Sequence, residues 1–430
     1  MKMILLVWCL LLTIFSGTAF AYLDPGSGSM LVSALVGLLA TLLFFFKGLY
    51  YKIRSGVFGL FGRTVEDDQM GQALVFYSEG RFYWNTFKPI IDELVSRGAE
   101  CVYLSSDEED PGLLYSSELV TTKYIGSGTK AYAYLTILEA DMCVMTTPGL
   151  DVLQIKRSKG VKHYAYLMHA PTDMATYKQY SFDYFDSIFT SGDHQDKSIR
   201  KLEELRDTPQ KLLLKTGCLY YDDMASRLKE LESTPKPENQ TIVLVAPTWG
   251  MNGLLKKFGS RVLIPLLEKE WKVILRPHPQ SSISEKDMLN NLREETKAYS
   301  NLEWDDESDG VQSMARADVM VSDLSGVIFD FAFLFEKPVI TMKYDFNWVG
   351  MDGSDLPWDP WELSVLNTIG QQICESDLDK ISEIIHQEIG KKDKRETIRQ
   401  LRDKSIANFS RAANSSANEL LRIRDEIQHT

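Results

Sequence analysis

Cysteine and clustered positive charge are what this chain has little of. Its five cysteines, Cys9, Cys101, Cys143, Cys218 and Cys374, are scattered and never form a C-x-x-C pair, so neither a disulfide framework nor a zinc site is indicated. Reduced, mostly buried thiols are the expectation for a cytoplasmic protein. Lys and Arg total 47 against 60 Asp and Glu, a formal net charge of −13. Phosphate backbones are gripped by clustered cations, so this balance argues against a nucleic-acid partner. The same surface is repelled by anionic lipid, so work at a membrane demands a tether. No internal repeat or low-complexity tract is evident. The acidic run Asp107-Glu108-Glu109-Asp110 reads as a solvated loop, and neither a metal nor another cofactor is expected.

A tether is present at the N-terminus. Lys2, an apolar run over residues 4–15 and Ala19-Phe20-Ala21 have the order of a signal peptide, so residues 1–21 read as a signal peptide or a first membrane helix. A second uncharged run lies within residues 28–51 and is near the short end of a bilayer-spanning helix. Lys47, Lys52, Arg54 and Arg63 follow it, as the positive-inside rule expects. A cleaved leader and a retained helical hairpin both return the chain to the same side, which predicts a cell-membrane protein with its globular part in the cytoplasm.

At 430 residues the chain is long enough for two domains. From residue 73 onward, short apolar runs alternate with helical patterns, the sign of parallel sheets covered by helices. Strands are expected over 73–77, 101–104, 123–125, 142–146, 162–168, 187–190 and 212–216. After a proline-bearing linker at 233–240 they are expected over 241–246, 272–275, 302–304, 319–321 and 339–341. The predicted fold class is α/β, with doubly wound domains over 70–232 and 241–376, helices over 377–430, and a ligand cleft at the carboxyl ends of the strands.

Two motifs fall at those strand ends. Arg276-Pro277-His278-Pro279 follows the expected strand 272–275. Its prolines stiffen their own positions and the residues before them, holding Arg276 and His278 rigidly. A permanent cation and an imidazole suit phosphate oxygens better than they suit a plain turn. Ser322-Asp323-Leu324-Ser325-Gly326 follows the strand 319–321 and opens an apolar helix. Helix N-termini offer unpaired N–H groups and partial positive charge, so Ser322, Asp323, Ser325 and Gly326 read as a diphosphate cradle, compatible with simple capping by Asp323 or Ser325. Asp330 and Glu336, further along that helix, are candidates for a ribose contact or for plain solvation. Thr248, in Ala246-Pro247-Thr248-Trp249, can reach the donor or acceptor, with Trp249 as a wall of the cleft or a packed side chain. In the first half His169 ends the strand 162–168 and can take a proton from an attacking hydroxyl; a hydrogen-bonded structural role is its alternative. His163 reads as packing, and His194 as a helix-start residue with a weaker claim.

Together these runs resemble the CDP-glycerol glycerophosphotransferases of teichoic-acid synthesis. The likeness covers roughly residues 161–340. It rests on A-P-T-W at 246–249, R-P-H-P at 276–279, S-D-x-S at 322–325, Val327-Ile328-Phe329-Asp330-Phe331-Ala332, and Lys337-Pro338-Val339-Ile340. It implies a GT-B-like pair of Rossmann-like domains facing a cleft. It further implies a CDP-linked polyol donor, transfer of glycerol phosphate to the hydroxyl of a lipid-linked or polymeric acceptor, and release of CMP. Catalytic roles then fall to His169 and His278, and donor binding to Thr248, Arg276, Ser322, Asp323, Ser325 and Gly326. The chain departs from the family pattern at Ala170, Gly250 and Gly326, where a glycine, a basic residue and a second serine are usual. The rival expectations are a GT-B glycosyltransferase, a sugar-nucleotide epimerase, and a non-catalytic nucleotide-binding membrane protein.

Overall fold

The computed structural model describes residues 74–231, 240–269, 271–307, 310–343 and 348–429. The expected membrane segments at 1–21 and 28–51, and all of the linker but Gln240, lie outside them. Among the described residues no helix is long and apolar enough to cross a membrane.

Among the described residues thirteen strands form two sheets, parallel throughout. The first comprises β1 Leu74–Ser78, β2 Cys101–Ser105, β3 Val120–Tyr124, β4 Glu139–Met145, β5 Gly160–Leu167, β6 Ser187–Thr190 and β7 Leu212–Lys215, in the order β3-β2-β1-β4-β5-β6-β7. The second comprises β8 Ile242–Val245, β9 Lys272–Leu275, β10 Leu302–Trp304, β11 Val319–Ser322, β12 Val339–Met342 and β13 Gly370–Ile373, in the order β10-β9-β8-β11-β12-β13. Both orders reverse direction next to their first strand, so each sheet has a switch point, between β1 and β4 and between β8 and β11. The central strands are continuous apolar runs because helices cover both faces: Leu74 to Ser78 and Ile242 to Val245 are buried at every position.

The strand expectations hold to within a few residues, with one omission. β13 reads Gly-Gln-Gln-Ile, too polar to register as a strand. It forms because Gly370 has no side chain; a Cβ there would lie 1.6 Å from the Val339 carbonyl oxygen. Between β8 and β9 the apolar stretch is broken into short turns around Ile264–Leu267. The helices expected over 377–430 are Ile381–Ile389, Lys394–Ser405 and Ala412–Gln428, with left-handed Asn408 and Ser410 separating the last two.

The chain after β12 returns to the first sheet twice. The helix Ala412–Gln428 packs Ala417, Leu420 and Ile423 against the core that holds Phe87 and Ile91. Asp222 accepts hydrogen bonds from the Ala412 and Ala413 N–H groups (3.0 and 2.8 Å), satisfying orphan donors of its first turn. The second return is the stretch 348–362. The Asp352 N–H donates to the Tyr177 carbonyl (2.8 Å). Arg206 bridges Asp352 (2.6 Å), Asp355 (2.6 Å) and Asp183 (2.8 Å). Asp173 accepts from the Trp361 N–H (3.2 Å), while its own N–H donates to Glu362 (3.0 Å). The two halves are therefore joined by buried polar contacts as well as by the chain.

Candidate active site

The second sheet's switch point gathers most of the expected donor residues in two layers with different work. β8 ends at Val245 and β11 at Ser322, so their following residues meet. The Ser322 hydroxyl donates to the Ala246 carbonyl (2.6 Å). The Asp323 carboxylate accepts from the Thr248 N–H (2.8 Å) and the Leu254 N–H (2.7 Å). Ser322 and Asp323 thus hold the loop 246–254 through their side chains. Burial pushes the Asp323 carboxyl up, and the two N–H donors pull it back.

Beyond that layer the helix Val327–Phe335 begins, with Gly326 exposed at its N-cap and open space where a side chain would stand. The Ser325 carbonyl accepts the Ile328 N–H (3.3 Å), whereas the Ser325 hydroxyl is buried with no hydrogen-bond partner. A buried unpaired hydroxyl costs stability unless something else satisfies it. Within the motif, the Ser325 hydroxyl is thus the group that the fold leaves unpaired, and Gly326 beside it is the exposed one.

Arg276 leaves β9 with its N–H bonded to the Val245 carbonyl (2.9 Å) and its guanidinium to Asp305 (2.8 Å). Asp305 also accepts from the Ser313 hydroxyl (2.5 Å), so the arginine is aimed by a buried carboxylate. Gly310 permits that pose, since a Cβ there would lie 2.7 Å from Arg276 Nε. Arg276 lines a cavity of about 500 Å³ together with Ala246, Val327 and Asp330. Asn85, Tyr220 and Arg227 close it from the other side. This volume suits a small organic ligand.

His278 stands outside that cavity's lining, exposed on the same loop. Its Nδ1 accepts the Gln280 N–H (3.1 Å), which leaves the proton of the neutral ring on Nε2 as an outward donor. Partial burial lowers its pKa and Glu285 opposes this. Glu285 also accepts from the Gly250 N–H (3.1 Å) and the Ser281 hydroxyl (2.8 Å), tying the loop of Thr248 to the loop of His278.

His169 lies past the end of β5, its ring edge-on to Tyr83 (5.3 Å between centroids) and Tyr177 (6.3 Å). Burial drops its pKa to about 4, so it is neutral at physiological pH, and its Nδ1 is buried without a partner. It is not among the residues that line the 500 Å³ cavity. The other first-half histidines are structural: His163 Nε2 bonds the Ser187 hydroxyl (2.8 Å), and His194 Nε2 donates to the Pro171 carbonyl (2.7 Å) while its ring stacks on Trp361 (4.2 Å).

The sequence reading did not find Asn85, Tyr220 or Arg227, which carry no motif. It gave Asp330 only a minor claim. The available signal was that Asp330 is the sole acid in the nine-residue run VIFDFAFLF, so it must be buried or facing a polar space. Burial raises its carboxyl to about 7, with Tyr221 pulling the other way. Glu336 is instead held by Arg395, Arg399 and Arg402 at the far end of the helix. Among the described residues no group of three or more His, Cys, Asp or Glu is placed to hold a metal ion.

Two doubly wound halves, with a cavity at one switch point that both halves line, define a GT-B-like α/β protein. The chain belongs to the CDP-glycerol:poly(glycerophosphate) glycerophosphotransferase family, whose model matches residues 81–349, and is an enzyme of that class. No curated protein matches it by sequence. The wall teichoic acid polymerase TagF shares its fold with a TM-score of 0.54 at 15% identity, over 92% of this chain and 98% of that one. A UDP-GlcNAc 2-epimerase from Methanocaldococcus jannaschii does so with a TM-score of 0.53 at 12% identity, over 82% and 99%. The Neisseria meningitidis epimerase bound to UDP-GlcNAc gives the same values.

Proposed function

We propose that this enzyme moves a glycerol-phosphate or related polyol-phosphate unit from a CDP-linked donor to an acceptor hydroxyl, releasing CMP, in cell-envelope polymer synthesis. The observation that carries the reading is the cavity at the second switch point, where Arg276 lines the same space as Val327 and Asp330 of the first helical turn, directly after Ser325 and Gly326. In this scheme residues 241–376 form the donor domain and residues 70–232 the acceptor side. Arg276, the Ser325 hydroxyl and the Gly326 N–H hold the diphosphate, and the outward Nε2–H of His278 donates to its oxygens. Ser322 and Asp323 position the loop that carries Thr248.

The reaction follows from that placement. The acceptor oxygen gives its proton to His169, attacks the phosphorus that bears the polyol, and displaces CMP through the bridging oxygen. Charge growing on that oxygen is offset by Arg276, His278 and the helix N-terminus, the electrostatic positioning on which phosphoryl transfer depends. The apolar runs at 1–21 and 28–51 support a membrane site of action with the catalytic domains on the cytoplasmic side, and hence a lipid-linked or polymeric acceptor.

The full chain in detergent, incubated with CDP-glycerol, CDP-ribitol and UDP-sugars, provides the test. CMP release from a CDP-polyol is expected. Release of UDP alone would replace this reading with a GT-B glycosyltransferase or epimerase. Tight nucleotide binding with no product from any donor would indicate a non-catalytic protein.

A further inference from the structure

The first sheet has its own switch point, and its chemistry is the opposite of the donor site's. Beyond the carboxyl ends of β1 and β4 lies a cavity of about 290 Å³ lined by Glu79, Tyr132, Thr147, Gln154, Tyr177 and Lys178. A second opening of about 580 Å³ adjoins it through Glu79, which lines both, and carries Arg81, Tyr83, Asp107, Glu108 and Glu109. His169 lines neither, but its ring is edge-on to Tyr83 of one and Tyr177 of the other. The donor cavity is close in sequence, since Asn85, two residues after Tyr83, lines it.

Charge and hydrogen bonding both say what this region takes. The larger opening sets four carboxylates, Glu79, Asp107, Glu108 and Glu109, against one cation, Arg81, while the smaller pairs Glu79 with Lys178. Arg81 is already engaged by Asp107 (2.7 Å) and by Glu109. An opening of this sign repels a phosphate-bearing chain. Independently, Thr147 is 8% exposed, lines the smaller cavity, and has a hydroxyl with no hydrogen-bond partner. An unpaired buried hydroxyl beside tyrosines and a glutamine is the lining expected for a ligand rich in neutral hydroxyls.

We infer that this first-sheet site receives the acceptor, and that the acceptor's reacting end is an uncharged polyhydroxylated group, a sugar or polyol, and not a growing polyphosphate chain. The inference rests on the transfer reading above and narrows it. The enzyme adds to a neutral terminus, and each added phosphate makes its product a poorer acceptor. It therefore starts a chain and does not extend one. Atoms balance as in the transfer step: the neutral hydroxyl loses its proton to His169 and gains the polyol phosphate as CMP departs.

The test compares two acceptors with the full-length chain and a CDP-polyol: an alkyl glycoside, and the same glycoside ending in a short run of glycerol-phosphate units. Transfer to the neutral glycoside should be favoured by about tenfold or more in kcat/KM, and raising salt should narrow the gap by screening the carboxylates. A double variant, Glu108→Lys with Glu109→Lys, should do the same at constant salt. Thr147→Val should raise KM for the glycoside while CDP binding, read by calorimetry, is unchanged. Equal or better use of the phosphate-ended acceptor, or a gap indifferent to salt and to the lysine variant, would overturn the inference. CDP binding with CMP release but transfer to neither acceptor would overturn the acceptor class alone. No CMP release under any condition would remove the transfer reading and this inference with it.

Discussion

The two switch points of this molecule share a topology and differ in everything a ligand meets. At the second, between β8 and β11, the donors are a guanidinium, a helix N-terminus and the unpaired hydroxyl of Ser325. At the first, between β1 and β4, carboxylates outnumber cations and a neutral histidine stands between two tyrosines. A parallel sheet with a reversed strand order builds the crevice, while the residues just past the strands decide whether an anion or a neutral hydroxyl is welcome there. On the proposed reading, one enzyme thereby holds an anionic donor and a neutral acceptor on two copies of one architecture.

The sharpest way to break the comparison is to remove the base from one side and the cation from the other. His169→Gln is expected to lower kcat by about 10² to 10⁴-fold while leaving CDP affinity intact. With its pKa near 4 and the usual value 6.5, His169 stays unprotonated down to pH 6. The wild-type rate should therefore show no loss from this group between pH 8 and 6. A pH profile with an acid limb at about 6.5 that vanishes in the variant would contradict the buried pose. Arg276→Ala is expected to cost about 10² to 10³-fold in kcat/KM, and unlike His169→Gln it should weaken CDP binding too. It also strands Asp305 without its cation, so Arg276→Ala with Asp305→Asn separates folding from function. Donor binding unaffected in that folded double variant would refute the donor assignment.

How far the sequence carried differs between the same two regions. The second switch point was legible because its residues lie in short contiguous runs directly after strands: Arg276 to Pro279, and Ser322 to Gly326. What those runs did not disclose is which members face inward. Ser322 and Asp323 hold the loop 246–254, an arrangement that depends on contacts between residues far apart in the chain, as the Asp323–Leu254 separation of 69 shows. The first switch point is assembled from single residues at the ends of β1, β4 and β5, with no spacing to mark them. β13 went unread because its polarity is that of a loop, and a glycine's close approach to β12 admits it to the sheet.

A finer contrast lies inside the donor motif and separates its two serines. Ser325→Ala removes a hydroxyl that nothing in the fold uses, so stability should hold while CDP affinity falls by about tenfold, some 1–1.5 kcal/mol. Ser322→Ala removes the donor to the buried Ala246 carbonyl, so it should cost about 1–2 kcal/mol of stability with a smaller effect on affinity. Urea denaturation and calorimetry on both variants check the pair. If the effects are exchanged, the inner and outer layers of the motif have been assigned in the wrong order.

The smallest expected effect on activity concerns what joins the two regions. Glu362, from the second half, is 1% exposed and accepts the Asp173 N–H, while its other carboxylate oxygen is buried without a partner. Burial, reinforced by the nearby Asp173 carboxylate, raises its pKa from 4.5 to about 7. The folded protein then holds a proton between about pH 4.5 and 7 that the unfolded chain has already released, so this contact weakens as pH rises through that window. A glutamine at this position would be neutral throughout. Glu362→Gln should match the wild type near pH 4.5 and exceed its stability above pH 7 by roughly 2–3 kcal/mol, since a tenfold change in proton affinity is worth about 1.4 kcal/mol. Urea midpoints across that range measure it, and parallel curves would mean that Glu362 is ionised in the folded enzyme. A stabilised variant that still transfers at the wild-type rate would show that the donor and acceptor regions need to be joined but not through a titrating contact. A stabilised variant that transfers more slowly would show that the junction must loosen at neutral pH for the two sites to meet.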